Sequence, residues 1–214
     1  MIVIKYQKNG AARFISHIDI LRHFARTLRR AQIPVEFSQG FNPHMLIYFS
    51  PPLSLGVSSD AEYASIDAKI EKSEFLARYN EAAPAGLLAN RAFTVPKDPK
   101  LQGVVNCADY VLPFSPQGIE IAPDYQIRYK SKDAEVCENI SGKFLGIWER
   151  DGKTAVRLAS GNVNLRADRF ALQLARDFNK ELDVTQIVKT AQYVKRGEEL
   201  INVDEYLEEL ETKR

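Results

Sequence analysis

The sequence predicts an α+β fold: a ferredoxin-like βαββαβ domain at the amino terminus, followed by a second related α+β unit. Three observations predict it. Residues 1–95 alternate β-patterned and helix-patterned segments in βαββαβ order. A polar link with two prolines, PKDPK (96–100), then interrupts the pattern. Beyond the link, over 101–195, a strand, a hairpin, a helix and a strand repeat most of that order, and an acidic tail (196–214) ends the chain.

Each element has its own reason. IVIKY (2–6) alternates and is β-rich, and ARF (12–14) extends it or pairs with it. SHIDILRHFARTLRRA (16–31) reads as a helix: Ser16 is a good N-cap, Asp19 suits the first turn and Pro34 closes the far end. Ile18, Leu21, Phe24, Ala25 and Leu28 form its expected apolar stripe. VEF (35–37) and MLIYF (45–49) are β-rich and count as one interrupted strand. AEYASIDAKI (61–70) places Ala64, Ile66, Ala68 and Ile70 on one side, as a half-buried strand does. SEFLARYNEAA (73–83) is a helix capped by Ser73 and ended by Pro84, and ANRAFTV (89–95) is the closing strand.

In the second unit, GVVNCADYVLPF (103–114) reads as a strand. KFLGIWERDGKTAVRLAS (143–160) reads as a hairpin turning at Asp151-Gly152. RADRFALQLARDFNKEL (166–182) keeps the helical ladder through Phe170, Leu174 and Phe178, and IVKTAQYV (187–194) is a strand. The stretch 117–141 carries no clear period. INVDEYLEEL (201–210) has Asn202 as a cap and Glu205 as capping-box partner; it packs back on the body or presents itself to a partner.

Composition excludes several classes. The chain has 214 residues, 45% apolar and 27% charged, which fits a soluble globular protein and argues against disorder and fibres. No apolar run reaches the length of a membrane span, and MIVIKYQKNG lacks the basic start of a signal peptide. A cytoplasmic location without membrane contact is expected. Cys107 and Cys137 are the only cysteines, too few for an iron–sulfur cluster in this chain and too isolated for a disulfide framework. All three histidines precede residue 45, so no metal site and no cofactor is expected.

Charge is uneven. Residues 1–59 hold Lys5, Lys8, Arg13, Arg22, Arg26, Arg29 and Arg30 against Asp19 and Glu36, whereas 197–211 is rich in Asp and Glu with no base. By the 3.6-residue period, Arg22, Arg26, Arg29 and Arg30 lie within about 100° of arc on the first helix. Guanidinium forks suit phosphate oxygens, so this ridge is a candidate nucleic-acid surface; a solvated helix face is the plainer alternative. The stretch FSQGFNPH (37–44) is longer than a hairpin needs. Gly40, Phe41 and Asn42 there either shape a polyanion site, with a backbone anion nest and a stacking ring, or form a wide structural turn.

For catalysis, His17 and His44 are the one acid–base pair on offer, and metal-free RNA cleavage is chemically open to them. Because His17 falls near the apolar stripe, the simpler expectation is a buried, hydrogen-bonded histidine. No nucleophile triad, P-loop or dinucleotide motif occurs.

The segments FISHIDILR, TLRRAQIPV, SQGFNPH and PLSLGVSSDAEY, in that order over residues 13–63, resemble the radical-SAM-associated (radical-SAM-linked) family, and IVKTAQYV resembles that family's closing strand. The resemblance covers the amino-terminal quarter closely and the rest loosely. Such proteins extend B12-binding radical-SAM enzymes or are encoded beside them, often near genes for ribosomal proteins and ribonuclease. The resemblance therefore implies a separately encoded radical-SAM partner and a role in RNA or ribosome modification, but assigns no catalytic residues. Three functions follow as expectations: a non-catalytic RNA-binding accessory module, a metal-independent RNA-processing enzyme, or a protein scaffold docking the radical-SAM partner through the acidic tail or a sheet edge.

Overall fold

The computed structural model describes residues 1–131 and 134–212. Its first half runs β1 (Ile2–Lys8), a 3-10 turn (Gly10–Phe14), α1 (His17–Arg30), β2 (Ile47–Phe49), β3 (Ser58–Ile66), α2 (Lys72–Ala82) and β4 (Ala89–Thr94). The second half runs α3 (Leu101–Val104), β5 (Val105–Leu112), β6 (Gln126–Ser131), β7 (Ala134–Asn139), β8 (Phe144–Arg150), β9 (Lys153–Ala159), α4 (Ala167–Asp177) and β10 (Val188–Arg196). A short β11 (Glu199–Asn202) and α5 (Val203–Thr212) follow.

Nine strands form one sheet in the order β4-β1-β3-β10-β5-β9-β8, with β2 added to β3 and β11 to β10. The halves share a plan. In the first, each neighbouring pair along β4-β1-β3-β2 is antiparallel; in the second, each neighbouring pair along β10-β5-β9-β8 is too. The separate antiparallel pair β6-β7 stands in the chain where the first half has α1. A short parallel pairing, Val188 with Ser58 and Lys189 with Ser59, welds the halves.

Alternation along the strands decides what lies where. Ile2, Ile4, Ala64 and Ile66 point to the face covered by Ile20, Phe24 and Leu28 of α1 and by Phe75 and Tyr79 of α2. Their neighbours Val3, Ala61, Tyr63 and Phe93 point the other way, onto Val203 and Leu207 of α5. In the second half Ala108, Tyr110, Val156 and Leu158 pack under Phe170, Ala171 and Leu174 of α4.

Helix ends explain several boundaries. α1 starts where Ser16 Oγ accepts from the Asp19 N–H. It stops where Gln32 turns to φ +52° and the Ile33 N–H reaches back to Leu28 O, a left-handed C-terminal cap. α4 ends five residues before the expected end at Leu182, for the same reason: Asn179 adopts φ +49° and the Lys180 N–H bonds to Ala175 O.

Other expectations are corrected. Residues 12–14 belong to a 3-10 turn rather than a strand. The stretch 35–37 makes only isolated bridges, Val35 to Ala68 and Phe37 to Met45, and the regular strand is confined to Ile47–Phe49. Ser73 lies inside α2 rather than capping it; Glu71 occupies the cap position. The stripe on α1 is rotated: Ile18 and Leu21 are exposed, and Ile20 and Thr27 are buried in their place.

Candidate RNA-binding ridge and the polar seam

α1 places Arg22, Arg26, Arg29 and Arg30 in solvent on its outer side, together with Ile18 and Leu21. Arg22 Nη1 donates to Asp19 at 2.9 Å, an exposed pair. The Ser16 hydroxyl and then Arg22 hold the Asp19 carboxyl below its ordinary pKa. Arg30 turns toward α2, donating to Thr27 Oγ1 and to Ala82 O at 2.8 Å. Arg26 and Arg29 pair with no carboxylate among the described residues.

The remaining cations of the basic amino-terminal block are spent elsewhere. Lys5 pairs with Asp204 of α5 at 2.8 Å. Arg13 Nη1 donates to Thr185 O at 2.8 Å, tying the two halves. Lys8 is buried, its Nζ donating to Ile15 O at 2.9 Å. The acidic helix therefore neutralises other bases and leaves the α1 ridge alone.

The 37–44 loop is a closed structure in its own right. Ser38 and His44 clasp its ends: the Ser38 N–H donates to His44 O, the His44 N–H to Ser38 Oγ, and Ser38 Oγ meets His44 Nδ1 at 2.8 Å. Within the clasp Gly40 takes φ +126°, a conformation that favours glycine, and Phe41 stands fully in solvent beside exposed Asn42. An exposed aromatic has no packing reason to be there.

His17 departs from expectation. It is exposed rather than buried, and its ring meets Phe49 edge-on with centroids 5.4 Å apart. His44 is engaged with Ser38 instead, and no hydrogen bond joins the two histidines. The groups brought near His17 are different ones: it shares a narrow pocket with Tyr6, Lys8, Ser50, Pro52, Leu53 and Glu62.

This pocket lies on a polar seam between the two apolar cores. By register Glu62 sits beside Tyr6, in the first core, and Lys189 beside Tyr110, in the second; Lys189 Nζ and Glu62 Oε1 meet across the weld at 2.7 Å. Their side chains are 1% and 5% exposed, so the charges are withdrawn from water. They touch without the alignment of a hydrogen bond, leaving Glu62 Oε1 with none. Gln192 is also buried; its Nε2 donates to Ser50 Oγ at 3.1 Å and to Ala61 O, while its Oε1 has no partner. Burial lowers the Lys8 pKa, with Glu62 pulling the other way and Lys189 adding to the drop. Burial, then Glu62, raises that of Tyr6 well above the usual phenol value.

Strand pattern could have found this seam. Lys8 falls in phase with Ile2, Ile4 and Tyr6, and Glu62 in phase with Ala64 and Ile66, so both stand on the apolar side of their strands. Polar residues on a core face are the informative exceptions.

A family described as an uncharacterized protein conserved in bacteria, DUF2344, matches residues 1–214. The chain belongs to that family. No curated protein matches it. In this DUF2344 member no helix of the described residues is long and apolar enough to cross a membrane. No group of three or more His, Cys, Asp or Glu among the described residues is arranged to hold a metal ion. Both cysteines are free thiols; Cys107 is buried, which pushes its pKa up to about 11, and Cys137 is exposed.

Proposed function

We propose that this protein is a non-catalytic accessory module that binds RNA and presents it to a separate radical-SAM enzyme in RNA or ribosome modification. The observation that carries the RNA half is the α1 ridge. Arg26 and Arg29 stand exposed and unneutralised between Arg22 and Arg30, while the acidic helix spends its carboxylates on other bases. Like charges held in a row on a rigid element favour an anionic partner, and the planar guanidinium fork favours phosphate. Exposed Phe41, on the glycine-bent loop with Asn42, offers a stacking face of the kind single strands use. The partner half rests on the resemblance of residues 13–63 to the radical-SAM-associated family. The shared strand order of the two halves supports reading each as a ferredoxin-like unit, the β6-β7 pair replacing one helix in the second.

The test is charge reversal. Replacing Arg22, Arg26 and Arg29 together by Glu abolishes retention of a single-stranded RNA at low salt, measured by filter binding. In the wild-type protein log affinity falls with log salt at about −0.7 per phosphate neutralised. Unchanged retention by the triple variant removes the ridge from the binding surface. The partner arm is capture of the tagged protein after nuclease treatment: a radical-SAM protein is retained, and its absence, with filter binding of RNA intact, removes the partner.

A further inference from the structure

The seam pocket has a chemical character of its own. Lys8, Lys189 and Glu62 place two positive charges and one negative charge together out of water, one positive charge in excess. Glu62 lines the pocket, and no hydrogen bond reaches its Oε1, which faces Lys189 Nζ at 2.7 Å. Lys8 has three N–H donors and spends one on Ile15 O. The pocket opens beside His17 and Pro52, both exposed, and holds a group about the size of one water molecule. Its occupant must therefore be small, donate a hydrogen bond to Glu62 and arrive with a negative charge for Lys8. A hydroxyl adjoining a phosphate meets all three demands, as does the P–OH of free hydrogen phosphate, whereas a water lacks the charge.

We propose that this pocket reads one ribose of a bound strand, Glu62 accepting from its 2′-hydroxyl and Lys8 holding the adjoining phosphate at the mouth, so that the protein takes RNA in preference to DNA. The inference rests on the RNA-binding reading of α1. His17 opens that helix about 7.5 Å along its axis from Arg22 and roughly 140° around it, so a strand held by the arginines reaches the mouth of the pocket by crossing the amino-terminal end of α1. A 2′-hydroxyl is the group by which a protein distinguishes RNA from DNA at one position, and Glu62 supplies a charged acceptor for it.

The experiment compares RNA, DNA and 2′-O-methyl RNA of one sequence at one salt concentration on the wild-type protein. RNA binds about tenfold more tightly than either competitor, as one hydrogen bond to a charged group implies. The substitutions Glu62→Gln and Lys8→Met, checked for folding by circular dichroism, each reduce that preference to within about twofold. If Glu62→Gln does not fold, single 2′-deoxy substitutions scanned along the RNA decide on the wild-type protein: a loss at one position supports the pocket, and a loss spread evenly overturns it. Equal binding of the three strands by wild-type protein overturns the pocket and leaves the arginine ridge standing. No binding of any strand overturns both.

Discussion

The two faces of this sheet carry basic side chains with opposite fates. On the face under α5, Lys5 and Arg91 meet Asp204, Arg91 also meets Glu208, and nearby Lys72 and Arg196 meet Glu211 and Glu209. On the face under α1 the helix turns Arg22, Arg26 and Arg29 outward, and among the described residues Asp19 is the one carboxylate paired to them. Charge count alone would let the acidic carboxy terminus cancel the basic amino terminus. The fold cancels one set of bases and leaves the other displayed. Neutralised bases serve the architecture, and displayed ones are available to a partner.

The comparison has an extreme member, Lys189, whose charge is both neutralised and buried. Replacing it by Ala strands Glu62 in the seam without its counter-ion, and breaking one side of a buried pair costs about 3–5 kcal/mol. Chemical denaturation of the Lys189→Ala variant measures this. The paired replacement Lys189→Met with Glu62→Leu recovers part of the loss, because the Glu62 charge is gone and Lys8, held by Ile15 O, is the base left in the seam. If the single variant unfolds like the wild type, the seam charges are hydrated and the contrast between the faces collapses.

Asp204 tests the clamp itself. Burial pushes its carboxyl pKa up, but the hydrogen bonds from Lys5 and Tyr63, and then the charges of Lys5 and Arg91, outweigh this and hold it below the ordinary value. A carboxyl depressed in the folded state stabilises above its unfolded pKa of about 3.9, and the contribution fades as pH falls through the folded value. Acidification below about pH 4 therefore loosens α5, read as a lower protection factor against amide exchange at Leu207, the rate being referred to the intrinsic one at the same pH. Asp204→Asn costs roughly 2 kcal/mol at neutral pH, the scale of hydrogen bonds to a charged group. It also removes the acid-dependent step. A protection factor at Leu207 that is unchanged from pH 6 to about pH 3 refutes the clamp.

Much of this contrast was legible in the sequence, and its gaps have physical causes. The helical period alone placed the four arginines on one side of α1, and Ser16 marked where that helix begins. It could not say that Ile18 and Leu21 share the exposed side, because a stripe drawn from every apolar residue ignores which arc faces the sheet. His17 was misplaced by the same rotation. The β6-β7 pair stayed hidden because its residues alternate weakly, with Ile127 the one fully buried side chain among the described residues of those strands. The seam was written in the strands as Lys8 and Glu62 on the apolar phase. Its meaning needs the parallel weld that brings Lys189 to Glu62 from more than a hundred residues away, a pairing no local pattern encodes.

The smallest effect separates display from architecture most sharply. Arg26 touches no carboxylate of the described residues and its side chain lies in solvent, so Arg26→Ala shifts unfolding free energy by less than about 0.5 kcal/mol. If the ridge carries phosphates, the same change lowers the slope of log affinity against log salt by about 0.7 with single-stranded RNA. Arg91→Ala behaves in the converse way: its salt slope matches the wild type, because its guanidinium is held by Asp204 and Glu208. Measuring both slopes on the same RNA places the two arginines on one scale. Equal slope changes would mean that the bases under α5 are as available as those on α1, and the difference between the faces would then lie in packing rather than in binding.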